Sequence, residues 1–347
     1  MQRSYLDWNA TAPLRPEARA AMIDAMELVG NPSSVHAEGR AAKALVERAR
    51  ADVARAFGAD GADVIFVSGA TEAAALACAG RGLQGAPVEH DAVLAWVETS
   101  LAVDAGGQVA VLDAGQTALQ AANSETGIIQ ALPQGLAVID ATQAFGKIPF
   151  AFNWSGCTAA LISAHKLGGP KGIGALVVKR GTDISAQLRG GGQEMGRRAG
   201  TENIVGIAGF AAAAAAAERD LDAGVWSGVE KLRNILENVI ADGANDTIFV
   251  GKDAPRLPNT SCFAVPGWKG ETQVMQMDLA GFAISAGSAC SSGKLRPSGV
   301  LLAMGHDAET ARSAIRVSLG PQVTEEQVML FAQSWLRHRE KFGARRA

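Results

Sequence analysis

At 347 residues the chain is longer than a single hydrophobic core usually fills, so two packed lobes are expected. Its 32 basic and 35 acidic side chains leave a formal net charge of -3 and no long basic run that could replace the counterions of a phosphate backbone, which argues against nucleic acid as a partner. The N-terminus lacks the apolar stretch of a secretory signal and no run of roughly 18 apolar residues escapes polar interruption, so a cytoplasmic protein with no membrane span is expected.

In chain order, residues 36–58 carry apolar positions at helical spacing and end at Gly58, which predicts an amphipathic helix. "DVIFVSGATEAAALACAG" then runs from a β-branched strand through a small-residue turn into an alanine-rich helix. "GLAVIDATQAFG" and "TAALISAHKLGGPKGIGALVVKR" repeat the theme of short buried strands ending in polar loops. The order predicts an α/β lobe with a mostly parallel sheet. An alanine helix and its continuation cover residues 205–242, and Pro255, Pro258 and Pro266 then break any helix. A strand near 260–265, a helix near 271–280, a strand in "SAIRVSLG" and a closing helix in "TEEQVMLFAQSWLRHREKF" make a smaller α+β lobe. The expected division is a large domain over 15–250 and a small one made of 1–14 and 251–347.

Three places carry chemistry. The turn Gly69-Ala70-Thr71 between strand and helix offers unpaired N–H groups at the positive end of a helix dipole, which suits a phosphate; capping of the helix by Thr71 is the alternative. Asp140 ends an apolar strand, where a carboxylate needs a cation or donors, and a cationic ring nitrogen would serve; an N-cap is the alternative. Lys166 follows another apolar strand among Ser163, His165 and several glycines, where desolvation would favour a Schiff-base nucleophile over a surface lysine. Phosphate cradle, acid and amine are together what pyridoxal 5'-phosphate requires of a protein.

The motifs "YLDWNATAP", "NPSSVHAEGR", "SGATE", "EHDAV", "NSETGIIQ", "VIDATQAFGK", "SAHKLGGPKGIGAL", "GGGQEMGRRAGTENIVGIAG", "RLPNTSCFAVPG", "ISAGSACSSG" and "IRVSLG" occur in an order that resembles the NifS/IscS-type cysteine desulfurases, in class V of the aminotransferase superfamily. The resemblance implies fold type I of the pyridoxal-phosphate enzymes, with a mostly parallel seven-stranded sheet in the large lobe. It implies that Lys166 holds the cofactor as an internal aldimine and moves the Cα proton, and that His90 stacks on the ring and assists. Asp140 would pair with the ring nitrogen and Gln143 with the phenolic oxygen. Ala70 and Thr71 in the helix-opening turn, with Ser163 and His165, would hold the phosphate, and Thr201 would reach that of the neighbouring subunit in a homodimer. Arg316 would fork onto the substrate carboxylate, a pairing lysine cannot reproduce, with a surface salt bridge as the alternative; Asn31, His36 and Asn123 would line the same mouth.

The four cysteines lie far apart with no CxxC pair, which suggests reduced thiols rather than a zinc site or disulfides. Cys290, between Gly and Ser residues, resembles the thiol on the mobile loop that takes sulfur from L-cysteine as a persulfide, leaving L-alanine, and passes it to an acceptor such as an iron-sulfur scaffold or a tRNA-thiolation protein. Cys78, Cys157 and Cys262 read as inert buried thiols. The chain departs from the family pattern at Ser124, Trp8 and Met195, where Asn, Asn and Arg are usual, and in a short stretch from His90 to Asn123. Two other readings stay open on the sequence: another fold-type-I enzyme, such as a lyase or aminotransferase, or a trimmed paralogue that serves as scaffold or sulfur relay.

Overall fold

The computed structural model describes residues 3–287 and 296–344; Cys290 lies outside the described residues. The chain enters through a short strand, β1 (Ser4–Tyr5), followed by α1 (Pro16–Met26) and α2 (Ala37–Ala56). Proline suits the first turn of α1, where its missing N–H costs nothing. β2 (Asp63–Val67) then leads through Gly69 into α3 (Ala70–Cys78). The next elements are β3 (Gln84–Gly85), α4 (Asp91–Leu94), β4 (Glu98–Thr99), β5 (Ala118–Gln120), β6 (Val138–Asp140), α5 (Phe152–Ser155), β7 (Ala159–Ser163) and β8 (Gly174–Val178).

β2, β8, β7, β6 and β5 form one sheet in that order. The pair β3 and β4 continues it in parallel through a bridge between Gln84 and Thr117, so seven strands lie in sequence across the lobe. Only β8 runs against its neighbours. The reason is local: the segment from Ser163 to Gly174 is too short to hold a crossover helix, so the chain must turn back antiparallel.

The sheet is buried on both faces. Val53, Phe57 and Phe210, from α2, the turn after it and α6 (Ile204–Asp222), pack on Phe66, Ile139 and Ile162. On the other face Ala73, Ala77 and Cys78 of α3 meet Ile65, Val138 and Leu161. The alanine run of α6 lets its backbone lie close to the sheet, with Ala213, Ala214 and Ala217 fully buried.

The continuous helix expected over 205–242 is two helices, because Gly224 adopts a left-handed φ of 69° and restarts the chain as α7 (Val225–Gly243). Trp226, Val229, Leu236 and Ile240 of α7 join a second core with Phe263, Trp268, Phe331 and Trp335. α7 thus packs with the second core. The second core covers a four-stranded antiparallel sheet, ordered β12-β13-β10-β9, made of β9 (Ile248–Phe249), β10 (Thr260–Ala264), β12 (Ser285–Ala286) and β13 (Ala314–Ser318). β11 (Phe282–Ala283) pairs with β1, while α8 (Gly270–Leu279), α9 (Gly299–Ala303), α10 (Ala308–Ser313) and α11 (Glu325–Ala344) complete the lobe. Leu6 and Trp8 return from the N-terminus into this core, where the Trp8 ring lies so close to Gly320 that a Cβ there would fall 2.0 Å from Trp8 Cε2. Trp8 is therefore a packing residue of the smaller lobe.

Candidate active site

A cavity of about 610 Å³ opens at the carboxyl ends of the parallel strands, where α/β sheets usually receive ligands. Ala70, Thr71, Asp140 and Ser163 line it, as do His90, Gln143, His165 and Lys166. Each follows from strand endings: Asp140 closes β6, Ser163 closes β7 with His165 and Lys166 in the 3-10 turn behind it, and the loop after β2 enters α3.

The floor at α3 is made by close backbone approach. A Cβ on Gly174 would stand 2.6 Å from Ile162 O and 2.8 Å from Gly69 Cα, so only glycine brings the start of α3 against β7 and β8. Gly69 caps α3 without a side-chain bond, which leaves Thr71 inside the first turn instead of at the cap. The N–H groups of that turn have no intrahelical partner and point with the helix dipole into the cavity. Glu72 is occupied elsewhere: it accepts from Ser68 N at 2.7 Å and Arg198 Nε at 2.8 Å.

The Lys166 amine donates to two main-chain oxygens, Asn9 O at 2.6 Å and Ala10 O at 3.0 Å. Gln143 Nε2 shares Asn9 O at 3.0 Å. His165 Nδ1 meets Thr11 Oγ1 at 3.2 Å, and burial, with the charges of Lys166, Lys171 and Lys147, depresses its pKa to about 4. His165 is thus neutral at pH 7. Asp140 Oδ1 accepts from Thr142 N at 2.9 Å, a tight turn that fixes the carboxylate at the strand end. His90 caps α4, its Nδ1 accepting from Ala92 N at 3.1 Å, which leaves a neutral ring's proton on Nε2.

A second cavity of about 270 Å³ shares His90 and Ser124 with the first and is lined by Asn123, Glu125 and Arg316, and by Gly287 and Arg296 on either side of residues 288–295. Arg316 is 6% exposed; Nη1 donates to Ser124 O at 2.9 Å, Nη2 to Asp7 Oδ1 at 2.7 Å, and Nε is buried with no partner among the described residues. The Asn123 amide is spent on its own loop and its neighbours, taking Glu125 N and Thr126 N on Oδ1 and giving Nδ2 to Val88 O. Ser124 contributes its carbonyl, which accepts from Arg316 Nη1 and Asn9 Nδ2.

Two expected residues lie elsewhere. Asn31 turns onto Ser33 N, His36 caps α2 through Gly39 N while pairing with Glu38, and neither lines either cavity. Thr201, expected to serve the neighbouring subunit, lines a third pocket with Ser68 and Gly172; Met195 is exposed and has a left-handed φ of 58°. Asn9, Glu89, Glu125 and Lys147 lie within the quoted motifs but were not singled out there, because their burial arises only in the folded chain. Cys78 and Cys157 are buried thiols pushed up to about 12 and about 11, and burial raises Cys262 as well. Among the described residues no cluster could hold a metal ion and no helix is long and apolar enough to cross a membrane.

The profile of the Aminotransferase class-V family matches residues 4–113 and 113–331. Its break at Asp113 falls inside the short stretch between His90 and Asn123. A cysteine desulfurase of Cereibacter sphaeroides is 38% identical over 367 aligned positions, covering 94% of this chain and 93% of that protein. The alignment is longer than the chain, so that relative has residues with no counterpart here. The cysteine desulfurase IscS of Dictyoglomus turgidum is 36% identical, over 93% and 91%. Among solved structures, a NifS-like protein of Rickettsia africae superposes with a TM-score of 0.88 at 28% identity, over 98% of this chain and 100% of that one.

Proposed function

Because the chain belongs to the class-V aminotransferase family and is a cysteine desulfurase, we propose that it holds pyridoxal 5'-phosphate in the larger cavity, acts on L-cysteine, and passes the sulfur through Cys290 to an acceptor protein. The carrying observation is convergence: the open first turn of α3, the Asp140 carboxylate and the Lys166 amine face one cavity at the strand ends. A phosphate fits the unpaired N–H groups of α3 with Thr71, Ser163 and neutral His165 around it, and Asp140 suits a protonated ring nitrogen. When bound, this cofactor supplies an aldehyde that condenses with amines and a ring that withdraws electrons from the substrate Cα.

The chain's own residues do the rest. Lys166 is held by two carbonyl oxygens that orient the amine without neutralising it, so it can leave them to take or return a proton. His90 stands where the two cavities meet and can hand over the proton on Nε2. Arg316, on the wall of the second cavity, binds the substrate carboxylate, with Asp7 and Ser124 O holding the guanidinium plane in place. Cys290 is assigned the sulfur acceptor by its motif, and the flanking residues Gly287 and Arg296 on the wall of the second cavity support that assignment. The same reading takes the protein as a cytoplasmic homodimer, with Thr201 serving the partner's cofactor, and an iron-sulfur scaffold as acceptor.

The test is alanine formation from L-cysteine by the purified holoenzyme under a reductant. Cys290→Ala abolishes it while leaving the visible cofactor band in place. Undiminished alanine formation by that variant would refute the role of the thiol, and absence of a borohydride-fixable chromophore on Lys166 would refute the cofactor.

A further inference from the structure

Lys147 takes no part in the reading above, yet it is 3% exposed and sits directly behind the cavity wall. Its Nζ donates to Asn9 Oδ1 at 3.0 Å and to Gln143 Oε1 at 2.5 Å. Burial, with the like charges of Lys166 and Arg316, holds its pKa well below the ordinary lysine value. A buried amine surrounded by cations is costly, and such a group persists in a fold when its donors are needed.

What the donors do here is set direction. Asn9 is pinned from both lobes: its Nδ2 donates to Ser124 O and Thr260 Oγ1, and its Oδ1 receives Asn259 Nδ2 as well as Lys147. Both Nζ bonds are donations, so the amide of Gln143 turns its oxygen to Lys147. The N–H2 end then faces Asn9 O and the cavity, 3.0 Å from the oxygen that also receives the Lys166 amine. Donation to Oε1 also polarises the amide and strengthens its N–H as a donor.

We propose that Lys147 is a positioning residue that fixes Gln143 with its N–H2 edge toward the cavity, as a polarised donor to the anionic ring oxygen of the cofactor. This rests on the cofactor reading of the preceding section. Without Lys147 the amide is free to flip and present its lone pairs to that anion.

The experiment is a pH titration of the visible absorbance of the holoenzyme. A donor to the ring oxygen favours the deprotonated chromophore, so losing Lys147, which holds that donor in place, raises the midpoint. Lys147→Met is expected to move it up by about one pH unit, a tenfold change in the proton equilibrium. Lys147→Gln, whose amide can still donate to Gln143 Oε1, is expected to stay within roughly a third of that shift. In a Gln143→Leu background Lys147→Met is expected to add nothing, because the effect passes through Gln143. His90, Asp140, His165, Lys166 and Lys171 also face the cavity, and they are common to all variants, so differences between variants report Lys147. Should Lys147→Met not fold, Lys147→Ala carries the same expectation. An unchanged midpoint, an equal shift in Lys147→Gln, or a full shift persisting without Gln143 would overturn the proposal. A wild type with no visible band overturns the cofactor reading instead, which keeps the two failures apart.

Discussion

Replacing Glu125 by glutamine should remove a pH dependence from the stability of the whole chain. Glu125 is 7% exposed, its Oε1 has no partner among the described residues, and a Cβ on Gly287 would stand 2.3 Å from that oxygen. Burial pushes its pKa from 4.5 up to about 7, against the opposing pull of a Ser298 hydrogen bond and the Arg316 charge. Below about pH 4.5 folded and unfolded chains both carry the proton, and the group brings no penalty. Between 4.5 and 7 the unfolded chain ionises while the folded one does not, so stability falls as pH rises, and above 7 the loss is complete. A displacement of about 2.5 pH units at about 1.36 kcal/mol each is roughly 3 kcal/mol. Glu125→Gln keeps the shape and cannot ionise. Urea unfolding of wild-type and variant holoenzyme, followed by circular dichroism from pH 4.5 to 8.5, should show equal stability at the acid end and the variant ahead by roughly 3 kcal/mol at the alkaline end. A difference that stays flat across this range would refute the claim that Glu125 is held protonated by burial.

Gly174→Ala should push the start of α3 away from β7, since the new Cβ meets backbone at Ile162 O and Gly69 that cannot step aside. The expected cost is about 1–3 kcal/mol of stability together with weaker cofactor retention, read by thermal unfolding and by reconstitution of the apoenzyme; unchanged values in both would count against the cradle described. Arg316→Lys should raise KM for L-cysteine at least tenfold with a smaller effect on kcat, because one ammonium cannot span Ser124 O, Asp7 and a substrate carboxylate together. An unaltered KM would remove Arg316 from substrate binding.

What the sequence made legible was chiefly what is local. Strand-to-loop transitions at Asp140, Lys166 and Thr71 are written in runs of apolar residues that end in polar or small ones, and all three face one cavity. The direction of β8 was not legible in composition, although the length of its connection to β7 decides it. The break at Gly224 was hidden because a glycine inside an amphipathic pattern does not announce a left-handed φ. Lys147 and Glu125 looked like ordinary charged residues, since burial is a property of the assembled lobes and not of the neighbours in the chain. Asn31 and His36 carry the turn-and-cap geometry that their local sequence also suits, and nothing in one chain brings them to the cavity. Cys290, the residue on which the sulfur chemistry depends, lies outside the described residues and stands on its motif.

Asn9 has a consequence for how the protein is made. Its main-chain and side-chain atoms bond to Ser124, Gln143, Lys147, Lys166, Asn259, Thr260 and Ser318, up to 309 positions away. Asn9 can find its last partner only after the 309 positions up to Ser318 have also been made, so the amine-bearing pocket cannot be finished on a fragment that stops before Ser318. Competence to hold the coenzyme is thereby tied to synthesis past Ser318, and a product terminated before it lacks the bolt that joins its two halves.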